Sequence, residues 1–169
     1  MISSKKKARI AVCGSDEAIS PKVEAVANRV GRKIAGNGGI LICGGKGGVM
    51  EAASRGAKEA SGVTVGILPG PDSEEANQYI DIPIPTSFER ARNFIVVRAA
   101  QAVIGISGGW GTLSEIAMAM NLGLPVILIR GTGGVADWLA KNPLRINHKT
   151  YTLTDGADEA VEKAMGLIR

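Results

Sequence analysis

Residues 9–43 read RIAVCGSDEAISPKVEAVANRVGRKIAGNGGILIC, and this stretch decides the fold. Its first six residues form a short apolar run that ends in Gly14, which predicts a buried strand. Ser20 and Pro21 then form a helix start, because an N-cap serine precedes a proline at the first helical position. Apolar residues follow at helical spacing up to a glycine-rich stop, and residues 40–43 predict a second buried strand.

The same alternation of strands and helices continues to the end of the chain. Residues 82–85 predict only a short extended piece, because prolines cannot donate to a ladder. Further strands are predicted at 63–68, 102–106, 126–129 and 150–153, and further helices at 49–60, 88–100, 112–122, 135–140 and 157–168.

Apolar strands that alternate with helices are typical of a parallel sheet covered on both faces. The sequence therefore predicts an α/β fold, a single doubly wound Rossmann-like parallel sheet with helices on both faces. This domain would span residues 9–169, after a basic N-terminal tail at 1–8. In an open sheet of this kind, ligands bind beyond the carboxyl ends of the strands.

The formal charge of the chain is concentrated in that tail. The net charge is +4, but Lys5, Lys6, Lys7 and Arg9 precede the first acidic residue, and the rest of the chain holds 16 basic and 16 acidic residues. Short basic tails are usually only solvated. We therefore predict no nucleic-acid partner. We also predict no membrane partner, since the chain lacks an apolar run of about 18 residues.

Cysteine and histidine usage indicates neither a metal site nor a disulfide framework. Cys13 and Cys43 form no C-x-x-C pair, and His148 is the one histidine of the chain. Zinc sites and disulfide scaffolds need more such residues at closer spacing. The sequence therefore predicts no metal, a reduced cytoplasmic location and an ordinary surface position for His148.

Glycine accounts for 23 of the 169 residues, which is about twice its usual share. Three clusters, at 44–48, 108–111 and 131–134, fall at the carboxyl edge of the predicted sheet. A glycine turn before a helix can bind an anion, because its N–H groups and the helix dipole favour negative charge. Each cluster alone is more typical of a tight turn, and none has the spacing of a P-loop. Three clusters at one edge, however, favour a ligand that carries a phosphate.

The most informative segment is SGGWGTLSE, residues 107–115. Thr112 follows the glycines at a helix start, where its hydroxyl could add a donor to a bound phosphate. Glu115 lies in the first turns of that helix, where the helix dipole stabilises its carboxylate. Glu115 either takes part in the chemistry of the site or is only a capping acid. Trp110 either covers a ligand or packs against the fold.

Three arginines lie on the predicted helix that precedes this strand and loop, Arg90, Arg92 and Arg98. A guanidinium at the same sheet edge could hold a phosphate or a carboxylate through two hydrogen bonds. The alternative for each arginine is a solvated or glutamate-paired surface position, which we prefer for Arg98.

This segment resembles the LONELY GUY proteins, the cytokinin-activating phosphoribohydrolases. Their hallmark P-G-G-x-G-T-x-x-E is matched from Gly108 to Glu115, and Arg92 falls at the position of the family arginine. Residues 13–15 resemble the end of the family's first strand, and residues 44–50 resemble its G-G-G-x-x-G-L-M segment. The resemblance covers most of the chain, from about residue 9 to residue 130.

Other segments resemble the molybdenum cofactor carrier proteins, which share this length and fold. The similar segments are GILPGPD at 66–72 and DIPI at 81–84. Such carriers bind a pterin monophosphate and do not hydrolyse a nucleotide, and they tend to lose the G-G-x-G-T form that this chain keeps. The chain departs from the LONELY GUY pattern at Ser107, Asn93 and Glu51, which replace a proline, a lysine and a glycine.

The resemblance implies two functions that stay open at this point. One is hydrolysis of the N-glycosidic bond of a nucleoside 5′-monophosphate to a base and ribose 5-phosphate, with no required cofactor and with Arg92 and Glu115 as catalytic residues. The alternative is a non-catalytic carrier with molybdenum cofactor as its ligand. The habit of the superfamily and the apolar segment 94–97 also imply a homodimer or homotetramer. The expected ligand and phosphate contacts are Gly14, Ser15, Gly44, Gly45, Gly48, Met50, Gly108, Gly109, Trp110, Gly111 and Thr112.

Overall fold

The computed structural model describes residues 6–144 and 150–168, whose strands form one parallel sheet. Lys5 and His148 lie outside the described residues. The strands are β1 (Arg9–Gly14), β2 (Ile40–Cys43), β3 (Val63–Leu68), β4 (Ile82–Pro85), β5 (Ala102–Ile106), β6 (Val126–Ile129) and β7 (Thr152–Thr154). They lie in the order β4-β3-β2-β1-β5-β6-β7, and every neighbouring pair is parallel. The predicted parallel α/β sheet is confirmed.

Helices cover both faces of this sheet. They are α1 (Pro21–Gly36), α2 (Gly48–Glu59), α3 (Asn93–Ala99), α4 (Trp110–Asn121), α5 (Gly134–Lys141) and α6 (Ala157–Leu167). One apolar core lies between the sheet and α1, α2 and α6, and the other lies between the sheet and α3, α4 and α5. The fold is therefore doubly wound, because the chain crosses from one half of the sheet to the other between β4 and β5.

Alternate residues of the central strands enter the two cores. Val12 of β1 and Ile104 of β5 belong to the first core, whereas Cys13 and Val103 belong to the second. Strands buried on both faces read as continuous apolar runs, which is why the sequence marks them clearly. The same alternation places Cys13 and Cys43 on opposite faces, and both are free and buried.

The predicted helix at 88–100 is wrong in its first part. Residues Glu89–Arg92 form a 3₁₀ turn, and α3 begins only at Asn93. The reason lies in contacts with the loop that follows β3. The N–H of Glu89 donates to the Pro69 carbonyl at 3.0 Å, and the N–H of Ser87 donates to the Gly70 carbonyl at 3.1 Å. These bonds redirect the chain before α3 can begin.

Strand β4 forms one edge of the sheet, as its prolines predict. The N–H of Thr86 donates to the Leu68 carbonyl at 3.2 Å, so by alternation the N–H groups of Ile82 and Ile84 face β3. The ring nitrogens of Pro83 and Pro85 therefore point outward, away from the ladder. Proline is tolerated at an edge for this reason.

Helices α1 and α2 approach each other at two glycines. A Cβ at Gly31 would collide with the carbonyl oxygen of Ala53, and a Cβ at Gly56 would collide with that of Asn28. Both obstacles are backbone atoms of the opposite helix, so the two backbones can come this close only without a side chain between them.

Replacement of Gly56 by alanine should therefore lower the free energy of unfolding by about 2 kcal/mol, since the helices must separate. The matched control is G36A at the last residue of α1, where nothing lies within 4 Å of the added Cβ. G36A should leave the free energy of unfolding unchanged or slightly higher, because alanine has less conformational entropy than glycine in the unfolded chain. Urea unfolding measures both, and equal midpoints for G56A and G36A would contradict the close packing.

Candidate functional site

A cavity of about 740 Å³ opens at the carboxyl ends of the central strands. Its walls come from the end of β1, the β1–α1 loop, the segment before α3, the β5–α4 loop and the first turns of α4. The order of the sheet reverses between β1 and β5, because the chain builds outward from β1 on one side and from β5 on the other. Ligands of doubly wound folds bind at such a switch point.

The N-terminus of α4 presents backbone N–H groups to this cavity. The first bond within the helix runs from the N–H of Leu113 to the Gly109 carbonyl at 2.9 Å. The N–H groups of Trp110, Gly111 and Thr112 precede it and have no partner within the helix, and all three residues line the cavity. These amides and the positive end of the helix dipole together favour a bound anion.

Gly108 shapes the turn that leads into α4. Its φ is +89°, a conformation that L side chains rarely adopt. A Cβ at this position would also collide with the side chain of Thr112, which is buried against the turn. The glycine of the predicted motif is therefore required both by its backbone conformation and by the close approach of Thr112.

The other two glycine clusters bind backbone carbonyls. At the start of α2, the N–H of Val49 donates to the Ser15 carbonyl at 2.9 Å. At the start of α5, the N–H of Val135 donates to the Gly108 carbonyl at 2.8 Å, and the N–H of Ala136 donates to the Ser107 carbonyl at 3.2 Å. These two helix N-termini therefore hold the neighbouring loops and support the α4 site.

Arg92 lies against the backbone of Gly44, where any Cβ would collide with its guanidinium. The Nη1 atom of Arg92 is buried and has no hydrogen-bond partner. Among residues 6–144 and 150–168, it is the one buried side-chain nitrogen or oxygen of this kind. A buried donor left unpaired costs about 1–3 kcal/mol. A bound anion that accepted a hydrogen bond from this Nη1 would remove the cost. The unpaired donor at the cavity wall therefore favours Arg92 as an anion-binding residue.

Asn93 joins the beginning of α3 to the beginning of α4. Its Nδ2 donates to Ser114 Oγ at 3.0 Å and to the Gly111 carbonyl at 3.4 Å, and the Ser114 hydroxyl donates to the same carbonyl at 2.7 Å. Asn93 is buried, although the resemblance places a lysine at this position. An amide there replaces a charge with hydrogen bonds that fix the first turn of α4.

Glu115 lies at the floor of the cavity with only 6% of its surface exposed. Burial raises the pKa of its carboxyl to about 7, although the charge of Arg92 and a hydrogen bond with the Cys13 thiol act in the opposite direction. Burial likewise raises the pKa of Cys13, which keeps it a thiol. A carboxyl that titrates near neutral pH can hold or release a proton, as general acids and bases do.

The structure brings most of the predicted site residues to this one cavity. Those that line it are Gly14, Ser15, Met50, Arg92, Gly108, Gly109, Trp110, Gly111, Thr112 and Glu115. The other three lie beside it: Gly44 lies beneath Arg92, Gly45 packs against Leu68, and Gly48 packs against the carbonyls of Ser15 and Glu17. Contact of each of these residues with a ligand stays a prediction.

Several lining residues were not predicted from the sequence. Asn93 was noted only as a departure from the family lysine, and Thr132 only as a member of the third glycine cluster. The acidic residues at the mouth carried no motif that could have marked them. Arg90, which the sequence offers as a guanidinium at this sheet edge, does line the cavity. The polar wall residues without such a role in the sequence are Asp16, Glu17, Ser20, Lys46, Glu89, Asn93, Ser107 and Thr132.

Trp110 stands at the mouth of the cavity and does not pack against the fold. Its side chain is 85% exposed. Trp110 therefore does not pack against its own chain, and its contact with a ligand stays a prediction. Planar aromatic faces stack favourably on other ring systems.

The described part of the chain contains neither a helix that could span a membrane nor a cluster of metal ligands. No helix there combines the length and apolar character that crossing a bilayer requires. In the same residues, no three side chains of His, Cys, Asp or Glu come together as ligands for a metal ion.

Known proteins resemble this chain in sequence. The sequence model of the SLOG cluster4 family matches residues 7–164. An uncharacterized protein of Archaeoglobus fulgidus is 42% identical over 125 residues, which are 74% of this chain and 82% of that protein.

Solved structures resemble it in fold over nearly the whole length. The molybdenum cofactor binding protein of the phototrophic bacterium Rippkaea orientalis is 35% identical with a TM-score of 0.88, and the match covers 98% of this chain and 100% of that one. The molybdenum cofactor carrier protein of Chlamydomonas reinhardtii is 32% identical with a TM-score of 0.83, covering 96% and 98%. The resemblance to the molybdenum cofactor carrier proteins is confirmed.

The raised pKa of Glu115 can be tested through the free energy of unfolding. An acid whose pKa rises from 4.5 to about 7 on folding stabilises the fold fully below pH 4.5, and this contribution is lost as the pH rises through 7. We expect wild type to lose roughly 3 kcal/mol relative to E115Q between about pH 4 and about pH 8. Urea unfolding at several pH values measures the difference.

The control for this experiment is E162Q, which removes an exposed carboxylate of α6. Its pH profile should follow that of wild type. Parallel profiles of wild type and E115Q would contradict the raised pKa.

Proposed function

We propose that this chain, which belongs to the SLOG cluster4 family, binds molybdenum cofactor as a carrier and holds it in the cavity at the end of β1 and β5. The observation that carries the proposal is the similarity to two molybdenum cofactor proteins over at least 96% of this chain. In a carrier the cofactor is cargo, and its own metal and dithiolene chemistry is used only by the enzyme that receives it.

The phosphate end of such a ligand fits the N-terminus of α4. A phosphate monoester brings several acceptor oxygens, and the amides of Trp110, Gly111 and Thr112 are donors without a partner in the helix. Phosphate at a helix N-terminus is a recurrent arrangement, because amides and dipole act on the same anion. The Gly108 turn lets the ligand approach this backbone closely.

The rest of the cavity suits a planar ring with polar edges. Trp110 can cover the ring from the mouth, and Arg92 lines the same cavity with an unpaired Nη1 that can donate to an acceptor oxygen of the ligand. Glu115, when protonated, adds no negative charge near an anionic ligand. The cavity volume of about 740 Å³ lies within the usual range for cofactor sites.

Two further expectations accompany this proposal. Both cysteines are free and buried, which fits a reducing cytoplasm. Val96 and Val97 are buried, whereas Phe94 and Leu122 remain 47% and 39% exposed. Exposed apolar side chains favour an interface, and we expect a second copy to cover them in a homodimer or homotetramer.

The carrier proposal predicts that purified protein retains added molybdenum cofactor and that G108A does not. Alanine at residue 108 must adopt φ near +89° and collides with Thr112, so the anion-binding turn is displaced. We expect at least a tenfold loss of affinity, since removal of good donors to a charged group costs about 1.5–3 kcal/mol. Bound molybdenum and the fluorescence of the oxidised pterin are measured after gel filtration.

The matched control is G123A, at the opposite end of α4. Gly123 has a φ of +73° and nothing within 4 Å of an added Cβ, so the substitution introduces comparable backbone strain away from the cavity. G123A should retain the cofactor. Failure of wild type to retain it, or equal retention by G108A, would refute the proposal.

A second candidate function is supported by Glu115. Its buried carboxyl with a pKa of about 7 is poised for proton transfer, and the cavity keeps the complete Gly108–Glu115 pattern of the LONELY GUY proteins. In that reaction, water adds across the N-glycosidic bond of a nucleoside 5′-monophosphate. The ribose C1′ gains the hydroxyl, and the base leaves with the proton. Glu115 would activate the water or stabilise positive charge on the ribose.

The hydrolase candidate predicts base release from at least one nucleoside 5′-monophosphate, measured by chromatography of the free base. E115Q should abolish release while nucleotide binding remains, because Gln keeps the shape of the acid but cannot take up the proton. E162Q again provides the control. Release of no base by wild type, or undiminished release by E115Q, would exclude this function.

A further inference from the structure

The loop that leads into α4 begins at Ser107 in an unusual conformation. Its φ is +52°, in the left-handed region that a residue with a side chain seldom occupies. Such a residue persists only when its surroundings hold it in place. The contacts around Ser107 therefore indicate what holds the turn before the amides of Trp110, Gly111 and Thr112.

Thr132, in the loop between β6 and α5, makes the decisive contact. The N–H of Ser107 donates to Thr132 Oγ1 at 2.9 Å, and the Thr132 hydroxyl donates its proton to the Ile129 carbonyl at 2.8 Å. A hydroxyl has one proton, so the bond to Ile129 leaves a lone pair of Oγ1 facing Ser107. Thr132 is only 5% exposed, which keeps water from competing for either bond.

The same two loops are joined by backbone bonds. The N–H groups of Val135 and Ala136 donate to the carbonyls of Gly108 and Ser107 at 2.8 and 3.2 Å. Gly134, with a φ of +56°, has no room for a Cβ because the Gly108 carbonyl lies against it. Thr132 supplies a side-chain bond to this junction, and a substitution can remove that bond without changing the backbone.

The departure of this chain from the LONELY GUY hallmark follows from this contact. A proline at residue 107 could neither donate an N–H to Thr132 nor adopt a φ of +52°. In this chain the hydrogen bond from Ser107 to Thr132 holds residue 107 in a conformation that proline cannot adopt.

We propose that Thr132 is a positioning residue of the anion site: through Ser107, it holds the Gly108–Thr112 turn and the first amides of α4 in their binding geometry. This inference rests on anion binding at the N-terminus of α4, which belongs to the proposed function. It assigns to Thr132 in the β6–α5 loop an indirect part in ligand affinity, through the turn that it holds.

The test compares T132V, T132S and T154V in the full chain, with inorganic phosphate as the probe in ³¹P NMR titrations and thermal unfolding as the second measurement. Valine keeps the shape of threonine but accepts no hydrogen bond, so the phosphate must order the turn itself. We expect about a tenfold loss of affinity in T132V. T132S keeps the hydroxyl and should bind within about twofold of wild type.

T154V is the matched control, since Thr154 of β7 is a fully buried threonine outside the cavity, and its hydroxyl donates to the Leu128 carbonyl at 3.5 Å. T154V should lower the melting temperature by no more than T132V lowers it. It should leave the phosphate affinity unchanged. Wild-type affinity in folded T132V, or an equal loss in T132V and T154V, would overturn the positioning role.

Hydrogen exchange keeps the proposal falsifiable if T132V does not fold. In wild type, the Ser107 amide should exchange slowly although it lies in a loop, because its N–H is bonded to a buried hydroxyl. Exchange at the rate of an unprotected amide would overturn the proposal. Phosphate binding without cofactor retention would refute the carrier function alone. Absence of phosphate binding by wild type would overturn the positioning role, and the carrier function would then be judged by cofactor retention alone.

Discussion

Helices α2, α4 and α5 begin at the three glycine clusters on one edge of the sheet, and the unpaired amides at their N-termini determine how that edge is built. Buried backbone N–H groups need acceptors. Those at the start of α2 and α5 find them in the carbonyls of the adjoining loops, around Ser15 and Gly108. The amides at the start of α4 lie at the cavity, which leaves this helix start open to an external anion. The glycine clusters of the chain therefore have two roles. Those at 44–48 and 131–134 join neighbouring loops, and the one at 108–111 forms the candidate anion site.

The floor of the cavity combines groups that are costly to bury. Glu115 meets this cost by holding its proton up to neutral pH, and Arg92 carries an unpaired N–H against the backbone of Gly44. A carrier and a hydrolase would use these groups differently, because a carrier needs a neutral wall near an anionic ligand, whereas a hydrolase needs a proton that can move. The same residues therefore serve either chemistry, and ligand measurements decide between them.

The sequence predicts the strands of this fold well, because strands buried on both faces are continuous apolar runs closed by glycine. The sequence also marks the Gly108–Glu115 segment, because the motif lies within one turn and the start of one helix and can be recognised from the spacing of its residues. It fails where distant contacts decide the structure. The bonds of Ser87 and Glu89 to the loop after β3 shorten the predicted helix at 88–100, and no local pattern shows them. Thr132 and Asn93 act across 25 and 18 residues.

The outer edge of β4 has a consequence for how copies of this chain can meet. Pro83 and Pro85 direct their ring nitrogens outward, so the free side of that strand offers acceptors but lacks two of the donors that a new strand would need. A neighbouring molecule therefore cannot lengthen the sheet at β4 with a regular ladder. The chain is thus protected at this border against the open-ended stacking from which fibrils grow.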